Sequence, residues 1–134
     1  SLIVGYNTTF QRSSDLGRQM NQVFVGIPFG ILRRKLKYLC EMNGIRYVEQ
    51  EESYTSMASF WDLDEMPVNG EAGLVPPVFS GRRICRGLYQ DRSGRRINAV
   101  VNGALIIMRK CNIVSLRALY DRGDVDTPVR IRIA

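Results

Sequence analysis

With no histidine among its 134 residues, the chain has no Ser-His or Cys-His nucleophile pair and no histidine-held metal, so any metal chemistry must rest on carboxylates. Glu49, Glu51 and Glu52 are the carboxylates spaced for it, crowded at the end of a β-branched and aromatic stretch. In open α/β sheets ligands gather at the carboxyl ends of strands, so this cluster is a candidate catalytic site; its plainer reading is a solvated strand end. Alternation along a strand aims Glu49 and Glu51 to one face and Glu52 to the other, and the sequence does not choose between them. A second set, Arg82, Arg83, Arg86, Arg92, Arg95 and Arg96, is the densest basic patch of the chain. The planar guanidinium fork suits phosphate, and Lys plus Arg outnumber Asp plus Glu by 19 to 13, for a net charge of +6. Nucleic acid is thereby the favoured partner class, set against the plainer reading that such a charge only serves solubility.

The elements that must position these groups follow from pattern. The length suits one domain with a real core, and a hydrophobic fraction of 45% with 24% charged residues is that of an ordinary globular chain. No apolar run approaches the roughly 20 residues that span a bilayer, and no secretory signal is evident. Leu2 to Tyr6 reads as a buried strand whose upstream neighbours are missing, 8–22 as a loop leading to 23–27. Pro28 and Gly44 bracket a predicted helix with Leu32, Leu36, Leu39 and Cys40 on the inward face and Arg33, Arg34, Lys35 and Lys37 on the solvated one. A strand follows at 45–50. Residues 61–81 hold three prolines and three glycines and read as an irregular insertion. Stretches 84–89 and 95–97 flank QDRSG as a β-hairpin, and Asn98 caps a helix running through Lys110, with Val101, Ala104, Leu105 and Met108 inward. Beyond it, 120–128 reads as a loop and VRIRIA as a short edge strand. The three cysteines, Cys40, Cys85 and Cys111, are far apart and outside any C-x-x-C pair, which indicates neither a disulfide framework nor a zinc ribbon and fits a reducing cytoplasm.

Three stretches together, LIVGYN, IRYVEQEESYTSMASF and RRICRGLYQDRSGRRINAVVNGALIIMRK, resemble the C-terminal RuvC-like half of TnpB proteins, the nucleases encoded by insertion elements. The last stretch is the most specific. The resemblance covers residues 1–115, leaving 116–134 as a tail. It implies an α/β chain with a partial RNase H-like (RuvC-like) fold, a mixed sheet flanked by helices and incomplete at the N-terminus. It also implies DNA and guide RNA as partners, and transposition as the setting. In such a fold carboxylates hold two divalent ions, Mg²⁺ in intact relatives, that activate water and stabilise the leaving oxygen.

The resemblance also marks departures. The family's first aspartate lies upstream of this sequence, and its last sits in an I-N-A-D-V-N-G pattern at a position that is Val100 here. Ile106 stands where the family commonly has Asn, and Gly5 where the middle glutamate is usual. Glu52 and Glu51, and less directly Glu49, are then the candidates for a relocated glutamate. Thr55 and Ser56 match the family, but Ser59 and Asp62 replace the first cysteines of its zinc ribbon, so no zinc is expected. The reading that results is an insertion-element nuclease with a degraded site that still binds DNA, inactive alone and with no metal of its own. The alternatives are a non-enzymatic DNA- or RNA-binding regulatory module, and a relic that self-associates into a homo-oligomer through the open edge of the first strand.

Overall fold

The computed structural model describes residues 1–7, 28–67, 77–113 and 115–122, which form two compact units, Ser1–Glu51 and Glu52–Ala134. The expected loop at 8–22, the segment 23–27, the middle of the 61–81 insertion and the expected edge strand in the tail lie outside the described residues. Among the described residues no helix is long and apolar enough to cross a membrane. The chain is mixed α/β, but among the described residues the strands form two sheets, one parallel and one antiparallel, and not the single mixed sheet expected from the sequence.

In the first unit, strand β1 (Leu2–Tyr6) pairs in parallel with β2 (Tyr47–Glu51), from Leu2 opposite Tyr47 to Tyr6 opposite Glu51. A parallel pair needs a crossover, and helix α1 (Phe29–Met42) belongs to it. The carbonyl of Pro28 accepts the N–H groups of Ile31 and Leu32. At the other end Gly44, with φ +63, reverses the chain straight into β2. The helix is rotated from the expected face. Cys40 is buried, Leu36 and Arg33 are half-buried, and Leu32 and Leu39 are 50% and 52% exposed. On the inward side Arg33 takes a place instead, its guanidinium 3.3 Å from Glu49 and 5.6 Å from the centre of the Tyr6 ring.

The second unit opens with tight turns over 52–58 and then an irregular stretch. Strands β3 (Arg82–Cys85), β4 (Leu88–Gln90) and β5 (Arg96–Asn98) follow as an antiparallel meander. The hairpin around QDRSG is present. The expected strand over 84–89 is broken in two by a turn at Arg86 and Gly87, where Gly87 takes φ +86, a conformation open to glycine at no steric cost. Asn98 caps helix α2 (Ala99–Cys111) as expected, its side chain accepting from Val100 N at 2.9 Å and Val101 N at 3.1 Å. A short helix α3 (Arg117–Arg122) takes in the first residues of the expected 120–128 loop, and in the segment read as a tail Leu116, Leu119 and Tyr120 pack on the core.

That core is Ala58, Phe60, Leu105, Ile106 and Leu116, joined through Trp61 to a second cluster of Tyr89, Ile97 and Ala99. Val101 and Met108 pack against it as expected; Ala104 is exposed, and Asn102 takes an inward place instead. Phe60 stacks on Tyr120 with centroids 4.5 Å apart, and Trp61 meets both rings edge-on. The stretch that contributes Ala58 and Phe60 has no strand partner among the described residues, and side chains meet its buried polar groups. Asn102, 1% exposed, supplies two bonds: its Oδ1 accepts from Phe60 N at 3.1 Å and its Nδ2 donates to Ala58 O at 2.9 Å. Arg109 donates to the carbonyls of Phe60 and Asp64, and the Tyr120 hydroxyl to Phe60 O. Replacing Asn102 with Ala strands one buried donor and one acceptor, and urea denaturation should show a loss of about 2–6 kcal/mol, roughly 1–3 for each orphaned group.

Candidate functional site

The meander gathers the arginines that the sequence singles out. Arg82 and Arg83 lie on β3, Arg86 in the β3–β4 turn, Arg92 and Arg95 in the β4–β5 loop and Arg96 on β5. Register sorts them by face. Arg82, Gln90 and Arg96 stand directly opposite one another across the three strands and so share a face, while Arg83 is in register with the buried pair Tyr89 and Ile97. All of these arginines are exposed except Arg95, whose guanidinium lies 4.1 Å from the centre of the Trp61 ring. Arg95 is therefore a packing residue in part, a role its place in the basic run does not reveal.

Three aspartates nearby turn their oxygens to backbone and hydroxyl donors. Asp62 accepts from Arg92 N at 3.0 Å; Asp64 accepts from Ser59 N, Ser80 N and the Ser80 hydroxyl, the last at 2.6 Å. Asp91, nearly buried, accepts from the Ser93 hydroxyl and Arg95 N, each at 2.8 Å. These bonds hold the loops. Beside them an open depression of about 470 Å³ is lined by Phe79, Ser80, Gly81, Arg82, Gln90, Asp91, Arg92 and Gly94.

Gly81 is needed at the edge of this depression by close approach. A Cβ there would stand 2.6 Å from Gln90 O and from two atoms of the Tyr89 ring and hydroxyl. Gly81→Ala should cost about 1–3 kcal/mol in denaturant unfolding, the usual penalty of overpacking.

The acidic candidates fare differently. Glu49 is exposed; its Oε1 accepts from the Tyr47 hydroxyl at 2.9 Å and its Oε2 meets Arg33. Glu51 is half-buried on the same strand. Glu52 is not on the strand: it opens the turns of the second unit, its carbonyl accepting from Thr55 N and the Thr55 hydroxyl. Val100 occupies the first turn of α2 and is 73% exposed. Among the described residues no group of three or more cysteine, aspartate or glutamate side chains is placed to hold a metal ion. Compared with family models, curated proteins and solved structures, the chain matches none.

Residues missed by sequence reasoning are Asn102, Trp61 and Tyr89, all acting through burial. Asn102 carried a signal, a lone amide between apolar helix positions. Tyr89, which donates to Met57 O at 2.7 Å, has its phenol pushed up to about 12, first by burial and then by Asp64, Asp62 and Asp91. Because the folded value lies above the ordinary 10.0, the protonated phenol adds stability that is complete below pH 10 and is lost as pH rises towards about 12. Tyr89→Phe should flatten this alkaline fall in a series of thermal melts across that window.

Proposed function

We propose that the chain derives from the RuvC-like, RNase H-like half of a TnpB-type nuclease and binds nucleic acid through the arginine meander without cutting it. The observation that carries the reading is the set of exposed arginines on the meander, Arg82, Arg83, Arg86, Arg92 and Arg96. Val100 is 73% exposed in the first turn of a capped helix; single exposed apolar side chains are common, so the exposure itself does not set this position apart. It stands at the position where the resembled family has its last aspartate, and a valine there cannot ligate a metal. The arginine face supports the binding half of the reading, since phosphate contacts supply most sequence-independent affinity.

A two-metal centre is not a fit for the described residues. Valine cannot ligate, Glu49 is engaged by Arg33 and Tyr47, and no carboxylate set of the needed size stands together among them. No hydrolytic step is therefore assigned to this chain.

The test is a titration of labelled DNA by fluorescence anisotropy over a salt series. Affinity should fall steeply with salt, and replacing Arg82 and Arg96 together with Gln should lower the slope of log affinity against log salt by about 2, near one for each phosphate that is no longer neutralised. Incubation with Mg²⁺ should leave the DNA intact; Mg²⁺-dependent cutting, or an absence of binding at low salt, would overturn the proposal.

A further inference from the structure

The depression beside β3 and β4 is more than a gap between arginines. Its volume of about 470 Å³ lies in the range of small-molecule sites, roughly 300–1,000 Å³. Its wall is aromatic at Phe79, which is half-buried and tilted at 41° against Tyr54, with centroids 5.8 Å apart. Gly94 adds no side chain to the lining, and Gly81 lets the lining lie close against Gln90 and Tyr89. Ser80 and Gln90 add polar groups, and Arg82 and Arg92 add cations. The one acidic residue of the lining, Asp91, is buried with its Oδ1 accepting from the Ser93 hydroxyl and Arg95 N, and Arg82 and Arg92 stand against its charge.

From this arrangement we infer that the depression seats one unpaired nucleotide of a single-stranded nucleic acid, its base against Phe79 and its flanking phosphates on Arg82 and Arg92. The inference rests on the nucleic-acid reading above and narrows it. A duplex keeps its bases stacked on one another and offers phosphates and groove edges, for which an arginine-bearing ribbon would suffice without a concavity. A concave aromatic surface beside cations is the pairing used by proteins that hold single strands, where bases stack on side chains and the backbone follows positive charge. The row of Arg82, Gln90 and Arg96 extends the cationic track over roughly 10 Å, two interstrand spacings, past the seat.

The experiment measures anisotropy of the full chain with three labelled probes about 12 nucleotides long, within the span that one small domain covers: oligothymidylate, oligouridylate and a DNA duplex. Both single strands should bind at least about tenfold more tightly than the duplex, and the two arms separate DNA from RNA as the source of the strand. Phe79→Leu, which keeps apolar bulk against Tyr54, should weaken single-strand binding roughly tenfold and leave the duplex unchanged. Gln90→Glu, of nearly the same shape, should weaken the single strand by the larger factor; thermal melts confirm that each variant is folded. Equal affinity for single strand and duplex, or two folded variants that bind the single strand like the native chain, overturns the nucleotide seat while the arginine reading stands. No binding of any probe at low salt overturns both.

Discussion

A buried backbone without a ladder is the constraint on which the second unit turns. Residues 58–64 cross the core as irregular chain, and each buried N–H or C=O left unpaired would cost as much as a missing hydrogen bond. Asn102 answers this as a strand neighbour would, with one donor and one acceptor on a single rigid amide. Arg109 and Tyr120 take the carbonyls that remain, so three side chains from two helices replace a β-strand. The apolar cluster forms around that hydrogen-bonded frame: Phe60 can reach the interior between Leu105, Ile106 and Tyr120 only because its own peptide groups are satisfied there.

The same frame sets the electrostatics of the surface. Asp62, Asp64 and Asp91 are drawn to backbone N–H groups and hydroxyls, and the arginines of the meander are left to define the outward charge. Arg95 is the link between the two layers. Its charge rests on the face of Trp61, an indole whose Nε1 is buried without a hydrogen-bond partner among the described residues, and Trp61 in turn joins both core clusters. Removing the Arg95 charge would therefore disturb packing as well as phosphate attraction, whereas Arg82 and Arg96 can change with little effect on the core.

Much of this was legible in the residues, and what was not has a physical cause. The Asn98 cap, the turn in QDRSG and the helix between Pro28 and Gly44 could all be read because local hydrogen bonding and backbone sterics decide them. The rotation of α1 could not: its apolar stripe argues for one face, and an ion pair to Glu49 with a ring contact to Tyr6 argues for another, visible only once the strands are in place. The break at Arg86 and Gly87 was concealed because a single glycine is compatible with a strand, a bulge or a turn. For the site, the arginines were readable as a run, but their division into faces needed the register, and Glu52 could be separated from Glu49 and Glu51 only by knowing where β2 ends.

The bond between the Asp64 carboxylate and Ser80, through both its N–H and its hydroxyl, joins the two ends of the 65–79 stretch. A neck of this kind fixes where the chain leaves the fold and where it rejoins it, and so helps keep Met66 and Phe79 seated on the core.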